Sequence, residues 1–177
     1  ITSATYSAQA LLGNTISSFH ALNLGIHLFN GWLGGALALS LGLTWSQSWF
    51  AGGLFLLHPI QAEPVAYLSG RGDLLVTSII LSIALLFLAW QKTMSFWRAV
   101  VLLGLSLVAL LTKEIGVVVG PLLLLTWWTY KGPKKSLWPI IIILAVALTG
   151  VPFVLSINKQ AGLAPVAWLT TQMVAFW

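Results

Sequence analysis

The feature that most limits what this chain can become is a succession of apolar runs separated by connections of only a few residues. The runs cover 19–43, 49–66, 74–90, 96–111, 115–130 and 137–156, and a truncated seventh begins near Pro165. Each is close to the ~17–25 mainly apolar residues that cross a bilayer as a helix. Charge cannot rescue a water-soluble alternative: hydrophobic residues make up 59% of the chain and charged residues 6%, against roughly 25% charged in ordinary soluble domains. In lipid the backbone must satisfy its own hydrogen bonds, which leaves helices for runs of this kind. The expected fold is an all-α, polytopic transmembrane helical bundle, with about six complete spans plus the truncated seventh.

Residues 1–18 read differently. They are small, hydroxylated and only moderately apolar, with Gly13-Asn14 as a breaker. The expected division is an outer-side interfacial segment over 1–18 and a multi-span transmembrane domain over 19–177. The first residue is Ile and the last lies in an apolar stretch, so the expectation is a portion of a longer protein. With no cysteine, disulfides and thiolate metal sites are excluded.

The connections set an orientation. If Ile1 starts outside, the inner loops are 44–48, 91–95 and 131–136, and they and their flanks carry Lys92, Arg98, Lys131, Lys134 and Lys135 without an acid. Arg71, Lys113 and Lys159 fall on the other side, together with all three acids, Glu63, Asp73 and Glu114. Basic residues without acidic partners mark the cytoplasmic side. Trp45, Trp49, Trp90, Trp97, Trp127, Trp128 and Trp138 gather at that same boundary, as half of an aromatic belt. The net charge of +5 therefore reads as topology and not as a nucleic-acid surface.

An ionised residue at a helix centre costs roughly 2.5–3.5 kcal/mol on insertion scales, and less at the interface. The outer charges thus need a reason. One reading is structural: Asp73 caps a helix starting at Leu74, Arg71 snorkels to lipid phosphate, and Lys113-Glu114 is a solvated hairpin tip. The other is functional: Arg71 and Lys113 hold a phosphate at the bilayer edge, supported by Glu63, Asp73, Glu114 and His58, while Pro59 and Pro64 break the helix to bring backbone near. A second feature is the stripe His20, Asn23, His27, Asn30, whose 3-4-3 spacing shares one helical face. It serves either as interhelical hydrogen-bonding glue or as the polar wall of a cavity. Two histidines two turns apart are not a metal site.

Four stretches in order carry a resemblance. The block His58-Pro59-Ile60-Gln61-Ala62-Glu63-Pro64-Val65-Ala66 with Ser69-Gly70-Arg71-Gly72-Asp73-Leu74-Leu75 resembles the signature of the transmembrane and tetratricopeptide-repeat O-mannosyltransferases and their bacterial relatives. Phe19-His20-Ala21-Leu22-Asn23-Leu24 with His27, Leu111-Thr112-Lys113-Glu114, and Leu169-Thr170-Thr171-Gln172 resemble further segments of that family. The chain departs from it at Gln61, where a second His is usual.

The resemblance implies a GT-C-type membrane domain that transfers a sugar, mannose-like, from a polyprenyl-phosphate donor to an acceptor protein or glycan on the outer face of a bacterial inner membrane. It assigns Arg71 and Lys113 to the donor phosphate, with Glu63, Asp73, Glu114 and His58 as supporting residues. It places the general base in an outer loop preceding Ile1, so the catalytic residue itself is not among those named. It leaves the use of a divalent metal open. The alternative is a non-catalytic structural subunit of a larger membrane complex.

Overall fold

The computed structural model describes residues 5, 7, 16–67, 70–130 and 133–160, with side chains other than those of 16, 135 and 149–160. Most of the 1–18 segment, Ser69, Lys131, and the expected seventh run with Leu169–Gln172 lie outside them. The described residues are all-helical, with no strand among them. We number the α-helices α1 Ile16–Ser40, α2 Trp45–Leu57, α3 Ala62–Ala66, α4 Arg71–Trp90, α5 Phe96–Thr112, α6 Val119–Thr129 and α7 Leu137–Gln160. Short 3₁₀ turns at Pro59–Gln61, Gln91–Thr93, Glu114–Val118 and Lys134–Ser136 join several of them.

The boundaries follow local chemistry. α1 ends at Ser40, two residues before Gly42, whose φ of 95° is open to a residue without a Cβ, and Thr44 and Gln47 then form a capping box that starts α2. The expected single span over 49–66 is not one helix. α2 stops at Leu57 because His58 is extended (φ −66°, ψ 128°), the conformation that a following proline imposes. The run 115–130 is likewise divided into the Glu114–Val118 turn and α6. α4 begins at Arg71, three residues before the expected Leu74, and its N-cap is Gly70 with no side-chain bond. Asp73 therefore does not cap it. It sits in the first turn, where a carboxylate is favoured by the exposed N–H groups.

α4 is the hub. On one side it packs against α1, which pairs with α2. On the other, Val76, Ile83 and Phe87 of α4 meet Leu102 and Ala109 of α5, Val119 and Leu123 of α6, and Ile140 and Ile143 of α7 in the apolar core. α1 and α2 approach through glycine, with Gly52 set against the backbone of Gly31 and Gly35. Tyr130 Oη donates to the Leu41 carbonyl at 2.8 Å, so the α6 end and the α1–α2 turn lie together. The opposite end gathers the start of α1, the His58–Gly70 connection, the start of α4 and the Lys113 turn. All three acids are at that end, and Lys92, Arg98 and Lys134 are at the other.

Among the described residues, Arg71–Thr93 is the one helix both long and apolar enough to cross a membrane, with mean hydropathy 2.3; Phe96–Thr112, Glu114–Thr129 and Leu137–Leu148 are apolar but shorter. At 13 residues and ~1.5 Å per residue, α2 also falls short of the ~30 Å hydrocarbon core. The outer surface is nonetheless apolar. Leu57 is 84% exposed, and Trp45, Trp49, Phe50, Trp97, Leu111, Trp128 and Leu148 all stand outward.

Candidate functional site

The polar residues of α1 decide how its end of the bundle is assembled. Asn30, fully buried, donates from Nδ2 to the Leu74 carbonyl at 2.9 Å and accepts from Ser78 Oγ at 2.5 Å. Two turns earlier, Asn23 donates to the Tyr67 carbonyl at 3.2 Å and accepts at Oδ1 from Arg71 Nε at 3.1 Å. His27 Nε2 lies 3.1 Å from the Leu56 carbonyl of α2. Three members of the stripe thus bind α1 to its neighbours. His20 is exposed, and with His27 it lines a groove of about 540 Å³ between α1 and the α2–α3 connection. Asn23 and Asn30 do not line that groove.

Arg71 is wholly buried. Its guanidinium carbon lies 5.4 Å from the centroid of the Phe19 ring, a cation–π arrangement, while Nε is held by Asn23. It neither snorkels to lipid nor presents a face to a ligand in this structure. The burial comes from the turn before it. A Cβ on Gly70 would stand 2.6 Å from Pro64 Cα, so glycine lets α3 close down on the start of α4. A buried cation needs such partners to offset its desolvation.

Lys113 is the accessible cation. It is the extended C-cap of α5 (φ −159°, ψ 149°), and its ammonium lies 2.5 Å from Asp73 Oδ1, with both side chains 37% exposed. The expected solvated tip is therefore a tether between α4 and the α5–α6 turn. Glu63, in the first turn of α3, and Glu114, at the start of the 3₁₀ turn, are exposed. His58 accepts at Nδ1 from the Ile60 N–H at 3.3 Å and caps the Pro59–Gln61 turn. Among the described residues no three His, Cys, Asp or Glu come within reach of one metal ion.

The structure thus joins Asp73 with Lys113 and Arg71 with Asn23, and leaves Glu63 and Glu114 outside those contacts. Chemically, the end offers a half-exposed ammonium with a carboxylate that an anion has to displace, above a rigid buried frame. Phe19, Tyr67 and Ser78 complete this frame. Two of them act through a ring face or a backbone carbonyl, and Ser78 meets Asn30 only once α1 and α4 are in register, so spacing carried no signal for them. Comparison with the signatures of known families, with curated proteins and with solved structures finds no match for the chain.

Proposed function

We propose that the chain is the membrane portion of a glycosyltransferase that moves a mannose-like sugar from a polyprenyl-phosphate donor to an acceptor protein or glycan. The observation that carries this reading is convergence. Three of the segments resembling the O-mannosyltransferase family meet at one end of the bundle: Phe19 and Asn23 on Arg71, Asn23 on Tyr67, and Lys113 on Asp73. The apolar outer surface supports a polytopic bundle in lipid, because monomeric soluble proteins rarely expose contiguous apolar area on this scale. The acid-free basic end supports a cytoplasmic placement for itself, and so a periplasmic one for the site.

In this reading Lys113 neutralises charge developing on the departing phosphate. A fixed cation there lowers the barrier because it interacts more strongly with the transition state than with the ground state. Arg71 keeps the site in shape from below and does not touch the donor. The burial of Arg71 and the pairing of Lys113 also favour a second reading, a structural subunit of a membrane assembly in which both cations serve packing alone.

Transfer from radiolabelled polyprenyl-phosphate mannose by the full-length protein in vesicles separates the two. Under the transferase reading, Lys113→Ala lowers kcat/KM by on the order of 10²-fold with the amount of inserted protein unchanged, and Lys113→Arg retains part of the activity. A wild-type rate in Lys113→Ala removes the phosphate role. Absence of both transfer and donor binding in the wild type leaves the structural subunit.

A further inference from the structure

We propose that the corner between α4 and α5 binds an anionic phospholipid, its phosphate on Arg98 and Lys92 and an acyl chain along the outer face of α5. The guanidinium is held ready. Arg98 Nη1 donates to the Thr93 carbonyl at 2.5 Å and contacts Thr93 Oγ1, and its guanidinium carbon lies 5.8 Å from the centroid of the Trp90 ring. Nε and Nη2, which share the other edge of the group, have no hydrogen-bond partner among the described residues. One nitrogen and a ring face thus fix the guanidinium and leave a two-donor fork of the kind that matches a phosphate. Lys92 is exposed and precedes Thr93 in the same 3₁₀ turn. Its backbone is one residue from the carbonyl that holds Arg98, and its flexible stem carries the second positive charge.

Neither cation has an acid to pair with. The acids of the chain are Glu63, Asp73 and Glu114. The 20 residues of α4 hold Asp73 roughly 30 Å from this corner, and the length of α5 separates Glu114 from Arg98. Unpaired cations beside a bilayer attract anionic lipid.

The cations also adjoin an apolar stripe, which suits an amphiphile. Trp97, Val101, Gly104, Val108 and Leu111 recur at intervals of four and three, so they share one face of α5, and all five are exposed. A Cβ on Gly104 would meet nothing within 4 Å, which leaves a notch midway along the stripe. A soluble phosphate would leave this face uncovered, whereas an acyl chain covers it. The head group supplies the selectivity. Phosphatidylcholine carries its own cation beside the phosphate, which Arg98 and Lys92 repel, while phosphatidylglycerol carries only neutral hydroxyls. The inference rests on the bilayer placement proposed above and not on sugar transfer.

The test places the chain in phosphatidylcholine nanodiscs containing a small fraction of lipid brominated near the glycerol end of its acyl chains. Bromine quenches tryptophan on contact, and the quenching lost in Trp97→Phe reports this corner. Brominated phosphatidylglycerol is expected to act there with an apparent affinity about tenfold above that of brominated phosphatidylcholine. Replacing both cations, Lys92→Gln with Arg98→Gln, should bring the two lipids level. Lys92→Gln alone removes an exposed side chain with no partner among the described residues, so it keeps the fold and should lose about threefold. Lys134→Gln, at the same end of the bundle, should leave the preference unchanged. Equal quenching by the two lipids means ordinary boundary lipid and overturns the proposal. A preference that survives the double replacement puts the anionic site elsewhere and overturns it too. Displacement of the lipid by inorganic phosphate would identify a soluble ligand instead. Absence of Trp97 quenching by either lipid overturns the bilayer placement itself.

Discussion

Arg71 and Lys113 carry the same charge in opposite settings. Lys113 stays partly exposed and shares its charge with an equally exposed carboxylate, an arrangement worth about 0–1 kcal/mol in solvent. Arg71 has exchanged solvent for an amide oxygen and a ring face. Removing Asn23 should therefore be costly out of proportion to its size: Asn23→Ala is expected to lower unfolding stability by about 2–4 kcal/mol. The double replacement Asn23→Leu with Arg71→Met should lose less than the sum of the singles, because an apolar pair carries no buried charge to satisfy. Denaturation midpoints of the four proteins in one detergent check this, and additive losses would show that the two side chains are not coupled.

At the level of elements, the glycines of the α1–α2 pair separate packing from propensity. A Cβ on Gly52 would lie 2.7 Å from the Gly31 carbonyl oxygen, whereas one on Gly53 meets nothing within 4 Å. Gly52→Ala is expected to force the helices apart and destabilise by about 1–3 kcal/mol. Gly53→Ala, one residue on in the same helix, should be neutral or gain up to ~1 kcal/mol from helix propensity. Matched thermal denaturation of the two variants tests the contact, and equal effects would deny it. The break after α2 has a comparable local cause. Pro59 holds His58 extended, which ends the helix at the point where His58 faces the groove with His20 and His27.

For the whole molecule, the acids at one end and the unpaired basic residues at the other predict a transverse arrangement in the bilayer. The chain has no cysteine, so a single introduced thiol reports one position. Thr93→Cys and Glu114→Cys flank α5 and are expected to label from opposite faces of sealed vesicles, Glu114→Cys from the periplasmic face. Labelling of both from one face would mean that α5 does not cross. The many outward-facing Leu and Trp side chains make the same point in energetic terms. Each buries apolar area only if the surrounding medium is itself apolar, and burial is worth about 25 cal/mol per Å².

By itself the sequence determined helix content, the apolar exterior and the segregation of acids from unpaired bases, because these depend on composition and on short-range periodicity. It also marked the His58-Pro59 break, since a proline constrains the residue before it wherever the chain goes. Only the tertiary structure decided that Arg71 is a buried strut while Lys113 stays open, that Asp73 is the partner of Lys113 and no cap, and that the α1 stripe divides. Asn23, His27 and Asn30 bind α1 to its neighbours, and His20 and His27 line a groove. These outcomes depend on the register of α1 against α4, set by contacts between residues more than forty positions apart, and on α3 closing over Gly70. Periodicity along one helix names the face a residue occupies, and the neighbour packed on that face determines whether its polar group is satisfied.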